Sequence, residues 1–311
     1  MQKRKEIDVN WLSPVEEYDG VLYKRDDLFS PFGNGVNGGK ARQATSLINN
    51  NLKFIQEKCS NTIITATNVD SPQGTIISTV SNWFGIRSIV AFGYSWGDVD
   101  KLKSKNLLVE KAIEAGGEIQ IIAKASYTSV VNKAVSDIVK DKGYFPIKFG
   151  INALDNEDSI FGVIMHQVQN IPKDLDLLVI PVGSGLIFSG IIKGLIKYNI
   201  KPKRVVGILS GMDSTKDIHK NLENFDVKDV NEDTSFNDFF DEDDKGLFLE
   251  YELYKSEINY HKKKIIDEPF QIDPIYEAKT IIWFNEEVEK GNISLQDKNL
   301  IWIVGNQSAM Y

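Results

Sequence analysis

A single lysine, Lys40, stands directly behind two glycines in NGGKARQ (residues 37–43), where a loop leads into a helical run. A lysine amine can condense with an aldehyde, and neighbouring glycines let a flat ligand lie close to the backbone. A second stretch, VIPVGSGLIFSG, joins an apolar strand to a helix through Gly183, Ser184 and Gly185. Backbone N–H groups in such a turn can hold an anion at the helix start.

This glycine turn does not follow the common nucleotide-binding patterns. Phe188 stands where GxGxxG requires its third glycine, and the Lys-Ser/Thr pair that ends a P-loop is absent. Taken alone, the turn is equally an ordinary strand-to-helix connection, and Lys40 alone is equally a surface lysine. Together they suggest a phosphorylated aldehyde that forms a Schiff base with lysine, which is pyridoxal phosphate.

The elements that must position these residues are indicated by the hydrophobic pattern. Between most of the strand-like runs lie segments of helical length and period, and almost wholly apolar strands are buried on both faces of a sheet. The pattern therefore predicts an α/β fold with doubly wound parallel sheets. The strand-like runs are residues 62–67, 87–95, 118–124, 175–183, 203–211 and 300–305.

Composition and charge exclude several classes of function. A net charge of −8 and a pI of about 5.1 give no global attraction for nucleic acid or anionic lipid. No run of about 18 apolar residues that could span a membrane appears, so a cytoplasmic protein is expected. The three histidines, His166, His219 and His261, are too scattered to predict a catalytic triad or a metal site. The acidic stretch 223–246 is interpreted as a solvated insertion or a lid.

Two stretches near the amino terminus carry a family resemblance. YKRDDL (residues 23–28) is followed by GGKAR, and this order resembles the pyridoxal-phosphate enzymes of the tryptophan-synthase-β fold, or fold type II. Within them it is most similar to the 1-aminocyclopropane-1-carboxylate deaminase and D-cysteine desulfhydrase group. The resemblance implies that Lys40 is the Schiff-base lysine and that Arg42 is the family's arginine near the cofactor. Gly39 replaces the family's usual asparagine.

The stretch DSPQGTIISTVSNWFG (residues 70–85) is similar to the family's Ser-Asn-His segment and the helix after it. The resemblance implies that Ser71 lies by the substrate carboxylate and that Gln73 takes the family's histidine position near the cofactor. Pro72 replaces the asparagine that contacts the cofactor's ring hydroxyl, and proline has no donor to offer in its place.

The family's phosphate turn, Gly-Ser-Gly-Gly-Thr, falls on GSGLI. The resemblance therefore assigns phosphate binding to Gly183, Ser184, Gly185, Leu186 and Ile187, with Ile187 lacking the threonine hydroxyl.

The stretch DPIYEAK (residues 273–279) is similar to the group's Asp-Pro-Val-Tyr-x-Gly-Lys. The resemblance implies that Glu277 pairs with the pyridine nitrogen and that Tyr276 is an acid/base or orienting phenol near the substrate. A carboxylate beside the nitrogen keeps it protonated and strengthens the ring as an electron acceptor. The chain ends in IVGNQSAMY, unlike the family's His-Thr-Gly-Gly turn, which predicts an altered substrate pocket.

The resemblance implies a lyase or deaminase that uses Lys40 to move a proton at Cα or Cβ of a small amino acid or amine. It also implies a homodimer whose large domain (residues 1–52 and 150–311) and small domain (53–149) have the cofactor in the cleft. One alternative is a specialised relative whose amino acid is joined to a larger group, such as a nucleotide or modified base. Another is a non-catalytic binding protein that retains the fold.

Overall fold

The computed structural model of the protein describes residues 6–94, 99–103, 106–151, 157–211, 213–231, 249–259 and 262–305. These residues form two compact units, each with its own sheet. The first unit comprises residues 29–163 with the described chain up to residue 11, and the second comprises residues 12–28 and the described chain from residue 164. Residues 29–52 and 150–163 thus lie in the first unit, outside the range 53–149 given to the small domain from the sequence.

Eleven strands occur in the described residues. Each of the six apolar runs predicted as a strand forms a strand of its own, namely β3, β4, β5, β7, β8 or β11. The strands are β1 (Val15–Tyr18), β2 (Val21–Arg25), β3 (Thr62–Ala66), β4 (Arg87–Gly93), β5 (Gly117–Ala123), β6 (Phe145–Ile147), β7 (Leu177–Val182), β8 (Arg204–Leu209), β9 (Val227–Asp229), β10 (Leu249–Lys255) and β11 (Asn299–Ile303). The other five were not predicted, because they are short or carry charged residues.

Ten α-helices occur in the same residues, and two of them are followed directly by a glycine. Gly85 and Gly143 both adopt the left-handed conformation just after their helices, which relieves the carbonyl groups of the last turn. The helices are α1 (Gly38–Asn50), α2 (Leu52–Lys58), α3 (Gln73–Phe84), α4 (Val99–Lys103), α5 (Leu107–Glu114), α6 (Thr128–Lys142), α7 (Glu157–His166), α8 (Leu186–Lys197), α9 (Thr215–Leu222) and α10 (Glu277–Glu289).

The first unit contains a four-stranded, wholly parallel sheet in the order β5-β4-β3-β6. Alternate residues of β4 serve two separate cores, as the period of a strand requires. Ile89 packs with Val131 of α6 on one face, and Val90 packs with Val109 of α5 on the other. Helices on both faces make this unit doubly wound, as predicted.

The second unit contains a seven-stranded sheet in the order β1-β2-β11-β7-β8-β10-β9, parallel except for the antiparallel pair of β1 and β2. On one face of β8, Val206 packs with Phe284 of α10. On the other face, a Cβ at Gly207 would lie 2.8 Å from the ring of Phe188 in α8, so this sheet too has helices on both sides. The predicted fold class is confirmed.

Several sequence-based interpretations lie wholly or partly outside the described residues. They concern the acidic stretch beyond residue 231, His261 and the chain beyond residue 305. Among the described residues, no helix combines the length and the apolar character needed to cross a membrane. Those residues also bring together no group of three or more acidic, histidine or cysteine side chains that could bind a metal.

Candidate active site

The predicted site residues fall in both units. Lys40 lies in the first unit, as the third residue of α1 and partly buried. The helix opens at Gly38, whose φ of +82° is one that residues with a Cβ adopt only at a cost, and its N–H bonds the carbonyl of Phe29 at 2.9 Å. The first of the two glycines therefore makes the sharp entry that sets Lys40 on the first turn of a helix.

Arg42 is buried two residues further along α1. Its Nη1 donates to the carbonyl oxygens of Val9 at 2.8 Å and Trp11 at 2.9 Å, and its guanidinium lies 4.1 Å from the centre of the Phe29 ring. These contacts tie residues 9–11 to the helix that carries Lys40. A contact between Arg42 and a cofactor remains a prediction.

The segment that resembles the family's carboxylate-binding loop opens α3. Pro72 is buried at the N-cap with φ −69°, a value that the proline ring favours, so the substitution fits the backbone. Ser71 is partly exposed, and its Oγ accepts a bond of 3.3 Å from the N–H of Gln73. The structure thus leaves Ser71 accessible at the start of a helix, where a carboxylate is favoured.

Gln73 itself is 1% exposed, and both ends of its carboxamide are bonded to the protein. Nε2 faces oxygen acceptors and Oε1 faces backbone N–H groups, so the partners define which end is which. The acceptors are Thr65 Oγ1 at 2.9 Å, the Ala66 carbonyl at 3.2 Å and the Lys148 carbonyl at 2.8 Å; the donors are the N–H groups of Gly150 at 2.8 Å and Ile151 at 3.3 Å.

In the second unit, the glycine turn joins β7 to α8. Gly185 has φ +78°, and a Cβ there would lie 2.6 Å from Cγ1 of Ile218, which is buried in α9. The helix begins at Leu186, and its N-cap, Gly185, has no side chain to cap the first N–H groups. The N–H groups of this first turn have no partner within the helix, which is the arrangement that binds anions. Ile187 is half-buried and offers no hydroxyl.

Tyr276 packs directly against this turn. A Cβ at Gly183 would lie 3.0 Å from Cε1 of the Tyr276 ring, so a side chain there would require the ring to shift. The Gly183 carbonyl accepts a bond of 2.5 Å from Oγ of Ser214, the N-cap residue of α9. This bond joins the glycine turn to the start of α9. Folding therefore brings the GSGLI and DPIYEAK stretches together, although they are far apart in the sequence.

Asp273 and Glu277 bind each other's segment at the start of α10. Asp273 Oδ1 accepts from the N–H groups of Ile275 at 2.8 Å and Tyr276 at 2.6 Å. In return, Glu277 Oε2 accepts from the Asp273 N–H at 2.7 Å, and its Oε1 accepts from the Gly305 N–H at 2.8 Å. Both carboxyl groups are fully buried, so these bonds fix the helix start and Tyr276 with it.

Burial raises the pKa of Glu277 well above its usual range, and the nearby charge of Asp273 raises it further. The N–H groups of Asp273 and Gly305 lower this pKa, while the charge of Asp27 raises it. A buried carboxyl group in this setting favours a proton or a cationic partner. A ring nitrogen that carries a proton would meet that need.

We expect the stability of the cofactor-free protein to fall as the pH rises above 4.5, the ordinary pKa of a glutamate. Above that pH the unfolded chain has lost the Glu277 proton while the folded protein still holds it, so raising the pH favours unfolding until the folded pKa is passed. Glu277→Gln should flatten this dependence, measured as denaturant unfolding between pH 5 and pH 8. Glu286→Gln, at an exposed position of the same helix, serves as the control and should leave the slope unchanged.

Sequence reasoning missed Lys279, although it stands within DPIYEAK. Its side chain is buried, and Nζ donates to the carbonyls of Ser210 at 3.2 Å and Asn259 at 3.0 Å. Burial lowers the pKa of this amine, and the charge of Asp273 opposes that shift. Ser210 directly follows β8, so its bond with Lys279 joins the end of that strand to α10. Nothing in the charge pattern or the helical period marks this lysine as buried.

The YKRDDL stretch forms the end of β2 and the turn after it. Arg25 pairs with Asp27 through two bonds, Nε to Oδ1 at 3.0 Å and Nη2 to Oδ2 at 2.8 Å, and stacks 3.7 Å from the centre of the Phe270 ring. Because β2 pairs with β11, with Arg25 opposite Ile303, this ion pair lies close to Gly305, which bonds Glu277. Asp27 of this motif is therefore near enough to Glu277 for its charge to raise the pKa of that carboxyl group.

Comparisons with known proteins agree with this architecture. No protein-family model matches the chain. The chain is 29% identical over 206 residues to an O-seryl-dTMP PLP-dependent decarboxylase of Salmonella phage ViI, a match that covers 60% of this chain and less than half, 47%, of the relative. A solved structure of an ACC deaminase homologue superposes with a TM-score of 0.68 at 20% identity, covering 97% of this chain and 91% of the other. An O-acetylserine-dependent cystathionine β-synthase from Helicobacter pylori gives 0.59 at 14% identity, covering 96% and 93%.

The chain therefore has fold type II, the fold of these pyridoxal-phosphate enzymes, as the sequence predicted. Pyridoxal phosphate is the cofactor expected from these relatives.

Proposed function

We propose that the protein is a pyridoxal-phosphate-dependent enzyme that breaks a bond at Cα of an amino acid. The observation that carries the proposal is the contact between Tyr276 and Gly183 in the second unit. It assembles an anion-binding turn and a buried carboxyl group, Glu277, from two distant stretches of chain. A phosphorylated pyridine needs both groups, and a lone strand-to-helix turn would need neither.

The residues present fit this cofactor in three respects. The turn at Gly185 has no room for a side chain, and the helix start behind it offers N–H groups to a phosphate. Glu277 is a carboxyl group whose burial leaves it in need of a cationic partner, as a pyridine nitrogen with a proton provides. Lys40 supplies the primary amine that the aldehyde requires, on the first turn of a helix.

Each residue then has a defined task. The N–H groups of residues 183–187 would hold the phosphate, and Glu277 would hold the proton at the ring nitrogen. The Lys40 amine would hold the aldehyde in the absence of substrate, and Nζ would move the proton at Cα of a bound substrate. Ser71 binds the substrate carboxylate, and the Tyr276 phenol orients the reacting group. Bound pyridoxal phosphate supplies the sink for the electron pair left at Cα.

Two substrate classes follow from two different observations. The similarity to the ACC deaminase and D-cysteine desulfhydrase group favours a small free amino acid and elimination or deamination. The relative from phage ViI is named for O-seryl-dTMP and for decarboxylation, which favours a serine carried on a nucleotide. Pro72 and Ile187 replace polar residues of the deaminase group, and this departure supports the nucleotide-linked substrate. We propose the nucleotide-linked amino acid as the substrate, with the free amino acid as the second candidate.

The test begins with cofactor binding. Purified protein titrated with pyridoxal phosphate should develop a visible absorption band, and borohydride followed by peptide mass analysis should leave a pyridoxyl group on Lys40. The loaded protein is then offered O-seryl-dTMP, free serine, D-cysteine and 1-aminocyclopropane-1-carboxylate in parallel. Release of CO₂ from the seryl nucleotide alone supports the proposed substrate, whereas ammonia from a free amino acid supports the second candidate. A protein that binds no cofactor would contradict the enzyme proposal and leave the non-catalytic alternative.

A further inference from the structure

We infer that Gln73 is a positioning residue that fastens two loops at the binding edge of the four-stranded sheet, so that Ser71 is presented to the substrate carboxylate in one geometry. This inference rests on the proposed function for the identity of the substrate. It differs from the role implied by the family resemblance, in which Gln73 contacts the cofactor itself.

The location of the two loops is the first step. β3 and β6 are parallel neighbours, so their carboxyl ends lie at the same edge of the sheet. Residues 67–72 follow β3 and contain Ser71, while residues 148–151 follow β6. Ligands of parallel α/β sheets bind beyond this edge, where loops rather than strands supply the contacts. A residue that joins these two loops therefore controls the shape of the binding edge.

Gln73 makes that connection with both ends of its carboxamide. Nε2 donates to the Ala66 carbonyl at the end of β3 and to the Lys148 carbonyl just after β6. Oε1 accepts from the N–H groups of Gly150 and Ile151 in the same turn. Since both donor hydrogens and the acceptor oxygen already have partners within the protein, little capacity is left for a direct bond to a cofactor.

The turn needs this support because of its backbone. Gly150 has φ +77° and Ile151 has φ +63°, and a β-branched residue in the left-handed region is a genuine outlier. Strained conformations persist when their surroundings over-determine them, and they concentrate at functional sites. Here the N–H groups of both strained residues donate to one oxygen of Gln73. This oxygen stabilises the turn as a bound anion does when backbone N–H groups surround it.

Only a primary amide suits all these partners. In Gln73→Glu, the carboxylate keeps acceptors for Gly150 and Ile151 but places an oxygen against the carbonyls of Ala66 and Lys148. In Gln73→Met, the chain length is similar and every bond is lost. The matched control is Gln43→Met in the same unit, because Gln43 is equally buried and its carboxamide has no hydrogen-bond partner among the described residues.

Amide hydrogen exchange on the cofactor-free protein tests the fastening without any activity. In Gln73→Met, exchange at Gly150 should accelerate by about tenfold or more, because the loss of one hydrogen bond corresponds to roughly that factor. Exchange at Ile151 should accelerate less, because its N–H also donates to the Lys148 carbonyl at 3.2 Å. Gln73→Glu should accelerate it less at these two amides, because their acceptor remains. Gln43→Met should change neither amide. Unchanged exchange at residues 150–151 in both Gln73 variants would overturn the inference.

Steady-state kinetics on the loaded enzyme tests the functional part. For a positioning residue, KM for the substrate should rise by about tenfold in Gln73→Glu while the affinity for pyridoxal phosphate changes by less than about twofold. A loss of cofactor affinity of about tenfold, with KM unchanged, would instead assign Gln73 to direct cofactor contact. Cofactor binding by the unaltered protein tests the proposed function separately, and its failure would leave the exchange result valid for the fastening alone.

Discussion

We expect Lys40→Ala to abolish turnover and to leave the borohydride-treated protein without a pyridoxyl group. Under the proposed function, the change would remove both the group that holds the aldehyde and the group that moves the Cα proton. Loss of a positioned acid or base alone costs roughly 10²- to 10⁴-fold in rate, and loss of covalent attachment adds to it. The measurement is single-turnover kinetics with the substrate identified by the panel, together with peptide mass analysis after reduction.

Two companion variants separate chemistry from charge and folding. Lys40→Arg keeps the positive charge on the first turn of α1 but has no amine that can condense with an aldehyde, so it should be as inactive as the alanine variant. Lys53→Ala removes an exposed lysine from α2 of the same unit and should keep full activity. Unfolding midpoints close to those of the unaltered protein would show that the fold is intact. Retained turnover in Lys40→Ala would refute the assignment of Lys40.

Gly185→Ala is expected to destabilise the second unit and to weaken cofactor binding together. The residue has φ +78°, which costs about 1–2 kcal/mol for a residue with a Cβ. The new methyl group would also lie 2.6 Å from Cγ1 of the buried Ile218, and such overpacking costs about 1–3 kcal/mol. If the glycine turn yields, the N–H groups at the start of α8 move with it, so affinity for pyridoxal phosphate should fall about tenfold or more.

Gly291→Ala is the matched control, because Gly291 has φ +77° in the same unit and a Cβ there would meet nothing within 4 Å. It should show only the backbone cost and no loss of cofactor affinity. In a double-mutant cycle, Gly185→Ala and Ile218→Ala together should cost less stability than the sum of the two single changes, because the truncated side chain no longer meets the new methyl group. If Gly185→Ala and Gly291→Ala lowered the free energy of unfolding equally, the close approach of Ile218 to the turn would contribute nothing to the loss of stability.

The sequence predicted the mostly apolar strands, and all of these except β5 consist almost wholly of buried residues. β7 and β3 consist of buried residues throughout and are apolar or β-branched in sequence. β2 escaped prediction because Lys24 and Arg25 make it look polar, although both side chains are buried. Lys24 Nζ donates to the Ser13 carbonyl at 2.6 Å and to Asn170 Oδ1 at 2.5 Å, partners that no local pattern could supply.

What the sequence by itself determined is local in origin. Glycines at positions 38 and 185 fix where α1 and α8 begin, because only a residue without a Cβ turns freely there. This places Lys40 on the first turn of α1 and begins α8 directly after the glycine turn that follows β7. The order of the motifs along the chain was also sufficient to indicate the fold.

Tertiary structure alone decided how the polar residues are used. The Gln73 carboxamide, for example, joins the Ala66 carbonyl to the Lys148 carbonyl, which lies far along the chain. Lys279 likewise becomes a buried cation that holds Ser210 and Asn259. A buried polar group must find its hydrogen bonds wherever folding places a partner. Strands and helix starts can be predicted from the hydrophobic period and the positions of glycines, because both are local in the sequence. The hydrogen-bond partners of buried polar groups come together only when the sheets have formed.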